Sequence, residues 1–426
     1  MSPKLSNIFW MLHMSPGSTS TYLGVIVCSQ SDQDFLPAHL PTCMQTASHL
    51  SSLWDRPAEW ARRIAMIREA NCFLYLSTYY IEYDAYGTEM LSALLEAQHR
   101  GVNVNLLIDD FGQRLGGILM NAKDKARLTA SLNELGAAGA IVTRYRPTRF
   151  LQRWLGGGQH VKIQVSEAGE AIFGSSNITK SSFDGWNEYS VAVRGPIVAD
   201  LLASYRSCGG IVDDTHLSTL AETENRTAES VDLDYWFCNP NANQGFLGPL
   251  TWSGPNVVTE RLVKMLETAQ HSIQLTCFYL KPVESLVEVL TAAAVRGIQV
   301  EVYHSHSAAL PATDLPWIAA VAGYKRLLTA GVKIYENLTG EHSKIVLVDN
   351  DWVAFGSYNF EDAAHDRLAE GMLATHDRRV IRQTNQIFEQ LQADPNNVPV
   401  TIQLLEHLPT KLKLRIALLR RLKRWL

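Results

Sequence analysis

Two stretches of the chain repeat one pattern: residues 160–188 read HVKIQVSEAGEAIFGSSNITKSSFDGWNE, and residues 342–370 read HSKIVLVDNDWVAFGSYNFEDAAHDRLAE. At an offset of 182 residues they share His-x-Lys, then Gly-Ser-x-Asn, then a glutamate 28 positions after the histidine. So many matches in one register predict an internal duplication. In each copy the histidine opens a short alternating strand, so it and the lysine two places on are expected to project from one face.

The regions before the two copies also correspond and have the pattern of α/β units. Residues 70–74 resemble 269–273, and 100–104 resemble 296–300. In each region a segment with helical apolar spacing ends at Arg-Gly, and a strand with β-branched residues follows. This succession predicts sheets with helices on both faces. The predicted elements are helices 60–70, 89–100, 260–269 and 285–296 and strands 72–77, 102–108, 273–278 and 298–303.

This organisation predicts five segments. The acidic stretch 215–232 and the Gly-, Pro- and Asn-containing stretch 239–255 indicate a connection between the halves. The predicted segments are an N-terminal extension (1–58), a first half (59–214), a linker and loop (215–255), a second half (256–395) and a basic amphipathic tail (396–426). Residues 146–158, with arginines, Phe150, Trp154 and three glycines, have no counterpart in the second half.

Composition excludes several classes of protein. The chain has 426 residues, 46% of them hydrophobic, and a formal net charge of −5, so it buries sizeable cores and carries no overall positive field for a polyanion. No run of about 18 apolar residues predicts a membrane-spanning helix. The six cysteines form no Cys-x-x-Cys pair, which favours reduced packing residues in a cytoplasmic or cytoplasm-facing protein. No spacing of His, Asp or Glu indicates a metal site.

The repeated residues suit phosphodiester transfer. Charge develops on phosphate oxygens during this reaction, so fixed cations and neutral donors aimed there lower the barrier. A neutral imidazole attacks phosphorus, an imidazolium protonates the leaving alkoxide, and a carboxylate on the second ring nitrogen fixes the tautomer. The candidates are the histidines His160 and His342, the cations Lys162 and Lys344, the donors Ser175, Asn177, Ser357 and Asn359, and the carboxylates Glu188 and Glu370.

The two motifs resemble those of the phospholipase D superfamily. Flanking sequences such as Tyr79-Tyr80-Ile81 and Ile108-Asp109-Asp110-Phe111-Gly112 look like the bacterial cardiolipin-synthase branch. The resemblance implies two related phospholipase-D-like α/β/α sandwich halves packed about a pseudo-twofold axis, with one active site between them and neither cofactor nor metal. It further implies a covalent phosphohistidine on His160, with His342 as acid and then base. The supporting acid after the second motif is Asp349, but Glu167 stands at the first.

The resemblance predicts a phosphatidyltransferase at the cytoplasmic face of a membrane, bound peripherally. Its expected partners are phospholipids, namely phosphatidylglycerol with phosphatidylethanolamine as a further candidate. Hydrolysis of the same lipids is the alternative, ahead of a nuclease or an inactive membrane-binding scaffold. No nucleic-acid partner is expected, and the oligomeric state stays open.

The C-terminal tail predicts contact with anionic lipid. Seven positive charges and no acid lie in its last sixteen residues. On a helical wheel the apolar residues gather on one side and most basic residues lie opposite, with Arg415 as an exception. A basic amphipathic helix of this kind binds an anionic membrane surface, here through residues 410–426. Docking on the protein body is the competing interpretation.

Overall fold

A computed structural model describes residues 45–47, 49–222, 227–243, 255–310 and 312–419. Helix α1 begins after Asp55, whose side chain accepts a hydrogen bond from Ala58 N, and α2 begins after Asp84 in the same way. Through the first half the elements are β1 (Gln45–Ala47), β2 (His49–Leu53), α1 (Arg56–Glu69), β3 (Phe73–Thr78), α2 (Ala85–His99), β4 (Asn103–Asp109), α3 (Asp110–Gly116), α4 (Ala122–Ala137), β5 (Ile141–Tyr145), α5 (Phe150–Trp154), β6 (Gly158–Gln159), β7 (Lys162–Ser166), β8 (Glu170–Gly174), β9 (Ser190–Arg194), α6 (Ile197–Ser207) and α7 (Asp214–Ala221).

The second half repeats this succession with shorter connections. Its elements are β10 (Val231–Cys238), α8 (Pro240–Asn243), α9 (Val257–Glu267), β11 (Ser272–Thr276), α10 (Glu284–Val295), β12 (Gln299–Ser305), α11 (Leu315–Ala330), β13 (Lys333–Asn337), β14 (Ile345–Val348), β15 (Trp352–Gly356), α12 (Asp362–Asp366), β16 (Leu368–Thr375), α13 (Arg378–Ala393), β17 (Asn397–Val400), α14 (Ile402–Glu406) and α15 (Thr410–Leu419). The helices and strands predicted from the repeat are all present, with ends that differ by a few residues.

The two sheets have the same topology, which confirms the duplication. In the described residues the first sheet runs β2-β9-β8-β7-β3-β4-β5, and the second contains the matching order β10-β16-β15-β14-β11-β12-β13. The parallel pairs correspond (β3 with β4 and β4 with β5; β11 with β12 and β12 with β13), and so do the antiparallel ones. His160 lies two residues before the central strand β7, and His342 lies three residues before the matching strand β14.

Helices cover both faces of each sheet, as the α/β/α prediction requires. On the outer faces α1, α2 and α4 pack on the first sheet, and α9, α10 and α11 pack on the second. The inner faces share one core, in which α6 and α13 lie with strands of both halves, and the rings of Tyr189 and Phe355 meet at 5.2 Å. This shared core holds the two motifs against each other.

Three of the predicted segments outside the two halves contribute helices or strands to the fold. The linker and loop predicted for 215–255 contains α7 and β10, and β10 pairs with β16 as the first strand of the second half. The predicted extension 1–58 supplies β1 to the second sheet and β2 to the first, while the predicted tail supplies β17. Short strands at sheet edges carry little periodicity, so the sequence did not separate them from loops. Residues 1–44 lie outside the described residues.

The described part of the tail does not have the single apolar side predicted for it. Helix α15 packs on α11 through Ile416. The guanidinium of Arg415 donates two hydrogen bonds of 3.0 Å to the carboxylate of Asp314. Leu414 and Leu418 lie on another side and are 72% and 70% exposed. The apolar residues therefore form two stripes, one docked and one facing solvent. The rest of the predicted tail, residues 420–426, lies outside the described residues.

Within the described chain, every helix is too short or too polar to cross a bilayer. No cluster of three or more His, Cys, Asp or Glu side chains in the described residues is arranged to hold a metal ion.

Candidate active site

The two motif histidines meet at the junction of the halves through reciprocal backbone contacts. His160 N donates to Ala369 O of the second half, and His342 N donates to Asn187 O of the first, both at 2.8 Å. Strand β6, just before His160, pairs in parallel with Leu368–Ala369 of β16. These matched contacts give the site its twofold character and set each histidine beside the opposite half.

Each histidine is held by the glutamate of the other half. His160 Nδ1 lies 3.0 Å from Glu370 Oε1, and His342 Nδ1 lies 2.8 Å from Glu188 Oε2. The crossing follows from the backbone contacts, because Glu370 directly follows Ala369 and Glu188 directly follows Asn187. The sequence predicted that these glutamates orient the rings, and the structure places them accordingly; the exchange between halves was not predicted.

The geometry also determines which ring nitrogen of His160 carries the proton. His160 Nδ1 lies 3.1 Å from the carbonyl oxygen of Ser357, which can only accept, so Nδ1 carries the proton. Nε2 of His160 then keeps its lone pair, and it has no protein hydrogen-bond partner among the described residues. Burial is the main cause that lowers the pKa of His160 well below its usual value, reinforced by Lys162 and Lys344. The ring therefore rests neutral, with a lone pair on Nε2.

The two motif serines hold the glutamates. Ser175 Oγ donates to Glu188 Oε2 at 2.5 Å, and Ser357 Oγ donates to Glu370 Oε2. Each Oγ also accepts a backbone N–H, from Tyr189 at 2.9 Å and from Gly371 at 3.1 Å. A hydroxyl has one proton to donate, and in this arrangement the carboxylate receives it. The predicted phosphate contact of these serines stays a prediction, beside this positioning role.

The two carboxylates differ electrostatically. Burial raises the pKa of Glu370 to about 8 against the opposing effects of Lys162 and Ser357. At Glu188 burial acts in the same direction, but His342, Lys344 and Ser175 together hold its pKa down to about 2.

A second hydroxyl accounts for part of this asymmetry. Ser182 Oγ donates to Glu188 Oε1 at 2.7 Å, whereas the equivalent position in the second half is Ala364, which has no donor. A hydrogen bond to the charged form favours ionisation. Ser182 was missed because sequence reasoning compared identities between the copies, and this position differs.

The lysines lie beneath the histidines as desolvated cations. Lys162 Nζ donates to His160 O at 2.7 Å, and Lys344 Nζ donates to His342 O. Burial lowers the pKa of Lys344 to about 8 and that of Lys162 well below its usual value. An ammonium that loses its water in this way gains strongly from a nearby anion. A phosphodiester is an anion of the kind that such a pair of ammonium groups attracts.

The remaining motif residues are also buried. Asn359 Oδ1 accepts from Phe278 N at 3.4 Å. Asn177 Oδ1 has no hydrogen-bond partner in the part of the chain that the structure describes. Both asparagines stay predicted donors to the phosphate.

The supporting acids lie away from the histidines, at the starts of β3 and β11. Asp349 accepts hydrogen bonds from the backbone N–H groups of Gln270, His271 and Ser272, at 2.6, 2.8 and 2.7 Å. Glu167 accepts equivalent bonds from Asn71 and Phe73. The longer glutamate therefore binds the turn before β3 in the way that Asp349 binds the corresponding turn before β11. Neither acid contacts the motif histidines.

Aromatic rings enclose the two histidines unequally. Trp186 stacks on His342 with ring centroids 5.0 Å apart, and Phe278 contacts the same ring edge-on at 4.5 Å. Among the aromatic residues that the structure describes, Tyr79 alone contacts the ring of His160, edge-on at 4.8 Å. Tyr79 was not among the site residues predicted from the sequence. Its position matches Phe278 just beyond corresponding strands, a signal that was available in the repeat.

The chain is similar in sequence to known proteins. A family model described as cardiolipin synthase, PLD-like domain, matches residues 64–206 and 262–392. The chain is 26% identical over 337 residues to a cardiolipin synthase of Geobacillus kaustophilus, covering 74% of this chain and 60% of that protein. It is 25% identical over 335 residues to cardiolipin synthase B of Salmonella typhi, covering 73% and 72%. The match thus spans three fifths of the first relative's length and about seven tenths of the second's.

The fold is shared with a solved structure. The crystal structure of phosphatidylserine synthase from Haemophilus influenzae Rd KW20 superimposes with a TM-score of 0.67 at 15% identity, over 90% of this chain and 98% of that one. This likeness confirms the predicted two-half architecture.

Proposed function

Because the chain belongs to the cardiolipin synthase family with phospholipase-D-like domains, we propose that it is a phosphatidyltransferase that moves a phosphatidyl group between phospholipids. The observation that carries the proposal is the pair of crossed chains Ser175–Glu188–His342 and Ser357–Glu370–His160, which orient two imidazoles at one junction. The proposed donor is phosphatidylglycerol, and the acceptor is the hydroxyl of a second phospholipid.

In the proposed first step, His160 Nε2 attacks the phosphorus of the donor phosphodiester. The bond between phosphorus and the glycerol oxygen breaks, and His342 gives its proton to the departing alkoxide. Burial and the lysines lower the pKa of His342 to about 3 in the empty site, although Glu188 acts in the opposite direction. A bound phosphodiester offsets the lysine charges, so substrate binding favours the imidazolium that this step requires.

In the second step the phosphohistidine is resolved. His342, now neutral, removes the proton of the acceptor hydroxyl, whose oxygen attacks phosphorus and releases His160. Water in place of the lipid hydroxyl gives phosphatidic acid, which is the hydrolytic alternative. The two reactions share every protein group named here and differ only in the acceptor.

Lipid product analysis separates transfer from hydrolysis. On incubation with phosphatidylglycerol, alone and with phosphatidylethanolamine, the expected product is cardiolipin together with free glycerol. Formation of phosphatidic acid without cardiolipin would show that the protein is a hydrolase and contradict the proposed transferase activity. Absence of both products, with the wild-type protein folded, would contradict enzymatic action on these lipids.

We further propose that the protein acts peripherally at the cytoplasmic face of a membrane, with its tail on anionic lipid. Lys411 and Lys413 on α15 are exposed, whereas Arg415 is occupied by Asp314. Each basic residue near an anionic surface contributes about 1 kcal/mol to binding.

Removing the charges of the tail while keeping the docked helix tests this attachment. Glutamine at the six basic residues other than Arg415 is expected to lower sedimentation with anionic vesicles at least about 100-fold, on the per-residue contribution above. The matched control is Arg415→Gln, which removes one charge that points to the protein body and is expected to change vesicle binding little. Undiminished sedimentation of the six-residue variant would leave α15 as a docking helix only. The residues replaced are Lys411, Lys413, Arg420, Arg421, Lys423 and Arg424.

A further inference from the structure

A short helix packs against two aromatic residues beside the site, Tyr79 and Tyr80, which remain partly exposed. Helix α3 lies directly on Tyr79 and Tyr80: a Cβ built on Gly112 would stand 2.5 Å from Tyr79 Cδ2, and one on Gly116 would stand 2.3 Å from Tyr80 Cδ2. Only glycine permits this approach. Because Tyr79 contacts the ring of His160, the inner side of α3 is one residue away from the proposed nucleophile.

The outer side of this helix is apolar. The described part of the chain has twelve exposed large hydrophobic residues, and five of them lie on α3, on the turn after it and on α5. Phe150 and Trp154 of α5 are 55% and 53% exposed. We call the following five residues the α3–α5 surface: Leu115, Ile118, Leu119, Phe150 and Trp154.

The two parts of the α3–α5 surface are joined. Arg146, which precedes α5, forms an ion pair of 3.0 Å with Asp110 at the start of α3. After α5, a Cβ built on Gly156 would stand 3.1 Å from Phe111 of α3. Asp109 accepts hydrogen bonds from the backbone N–H groups of Gly112 in α3 and of Gln159 in β6, the residue before His160. These bonds connect α3 to the strand that precedes His160. The surface is therefore fixed in position relative to the site.

Positive charge accompanies the apolar side chains. Four exposed arginines and one aspartate lie on these elements, and the aspartate side chain is only 13% exposed. Arginines that flank exposed Trp, Phe and Leu residues reach phosphate groups with their guanidinium ends while their stems cover apolar surface. The arginines are Arg114, Arg146, Arg149 and Arg153.

We propose that the α3–α5 surface inserts into the headgroup region of an anionic lipid bilayer, and thereby turns the side of the site that carries Tyr79 and Tyr80 toward the membrane. The apolar side chains supply burial and the arginines supply attraction to lipid phosphates. This contact is separate from that of the tail, since the α3–α5 surface lies on the first half and α15 packs on the second. That this contact delivers lipid to the site rests on the proposed function. That the surface binds a bilayer does not depend on that function.

Vesicle binding by the full chain tests the α3–α5 surface without turnover. With vesicles of phosphatidylglycerol and phosphatidylcholine, the double variant Phe150→Ala/Trp154→Ala is expected to reduce the partition coefficient at least about tenfold, because each ring buries apolar area in the bilayer. Arg146→Gln/Arg149→Gln is expected to reduce it about tenfold, and less as salt rises. The matched control is Ile211→Ala/Val295→Ala, which truncates exposed apolar residues elsewhere and is expected to stay within twofold of wild type.

The outcomes separate this inference from the proposed function. Thermal unfolding of each variant first establishes that it is folded. Equal binding by the wild type and by the Phe150/Trp154 variant, or equal binding of the wild type to neutral vesicles, would overturn the inference. Vesicle binding that depends on the α3–α5 surface in a protein that forms no lipid product would support the surface and reject the phosphatidyltransferase.

Discussion

His160→Ala is expected to lower kcat by at least about 10⁴-fold, because it removes the atom that attacks phosphorus and no other described group replaces it. The measurement is the initial rate of lipid product formation, with thermal unfolding as the check on folding. His99→Ala is a matched control, since His99 is exposed at the end of α2 and is expected to retain wild-type activity. Turnover within tenfold of wild type in His160→Ala would contradict covalent catalysis by this residue.

His342→Ala is expected to lose steady-state turnover to a similar degree for a different reason. It keeps the nucleophile but lacks the group that protonates the alkoxide and later activates the acceptor. With a phosphatidyl ester of nitrophenol, whose leaving group needs no protonation, His342→Ala should release one equivalent of nitrophenol and stop as a phosphohistidine. His160→Ala should show no such burst. A burst from His160→Ala and none from His342→Ala would assign the nucleophile to His342.

The unequal surroundings of the two rings support this division of roles. Glu188 has a pKa of about 2 and so remains a carboxylate beside His342, where it stabilises an imidazolium. The face of Trp186, stacked on His342, favours a cation as well. His160 instead faces Glu370, whose pKa burial raises to about 8. The proton that is transferred in the reaction is therefore better stabilised on His342. His160 better keeps the lone pair that attacks phosphorus.

Sequence alone predicted the duplicated α/β architecture, because identical residues recurred at a fixed offset, and the same offset selected the histidines, glutamates and serines that lie together in the structure. It did not predict which glutamate serves which histidine. The constant spacing of 28 residues does not say which histidine each glutamate serves, whereas pairing of β6 with β16 brings partners from opposite halves together. Such pairing between short strands leaves no periodic signal in either copy.

Other features were missed for local reasons. Strand β10 reads VDLDYWFC, an alternation typical of a strand, but the acidic stretch before it favoured a linker. Ser182 and Trp186 differ from their counterparts, Ala364 and Leu368, so a comparison of identities passed over them. The residues that make the two halves unequal are therefore the ones that a search for repeats is least able to find.

The crossed arrangement makes a second prediction of large effect. Glu188→Gln is expected to lower kcat by between about 10² and 10⁴, because the amide keeps the shape of the side chain but no longer stabilises the imidazolium of His342. Glu370→Gln is expected to cost distinctly less at pH 7, since burial raises the pKa of Glu370 to about 8 and its charge therefore contributes less beside His160 than the charge of Glu188 does beside His342. Equal losses in the two variants would contradict the electrostatic difference between the halves.

Nuclear magnetic resonance of the histidine rings separates crossed from uncrossed pairing independently of the rate. In protein labelled with ¹⁵N-histidine, Glu188→Gln should shift the Nδ1 proton of His342 and leave that of His160 in place, while Glu370→Gln should do the reverse. Glu167→Gln is the control, because that carboxylate caps a turn remote from both rings and should move neither resonance. If Glu188→Gln instead moved the resonance of His160, each half would carry its own histidine and glutamate. The backbone contacts that join His160 to Ala369 and His342 to Asn187 would then have no part in orienting the rings.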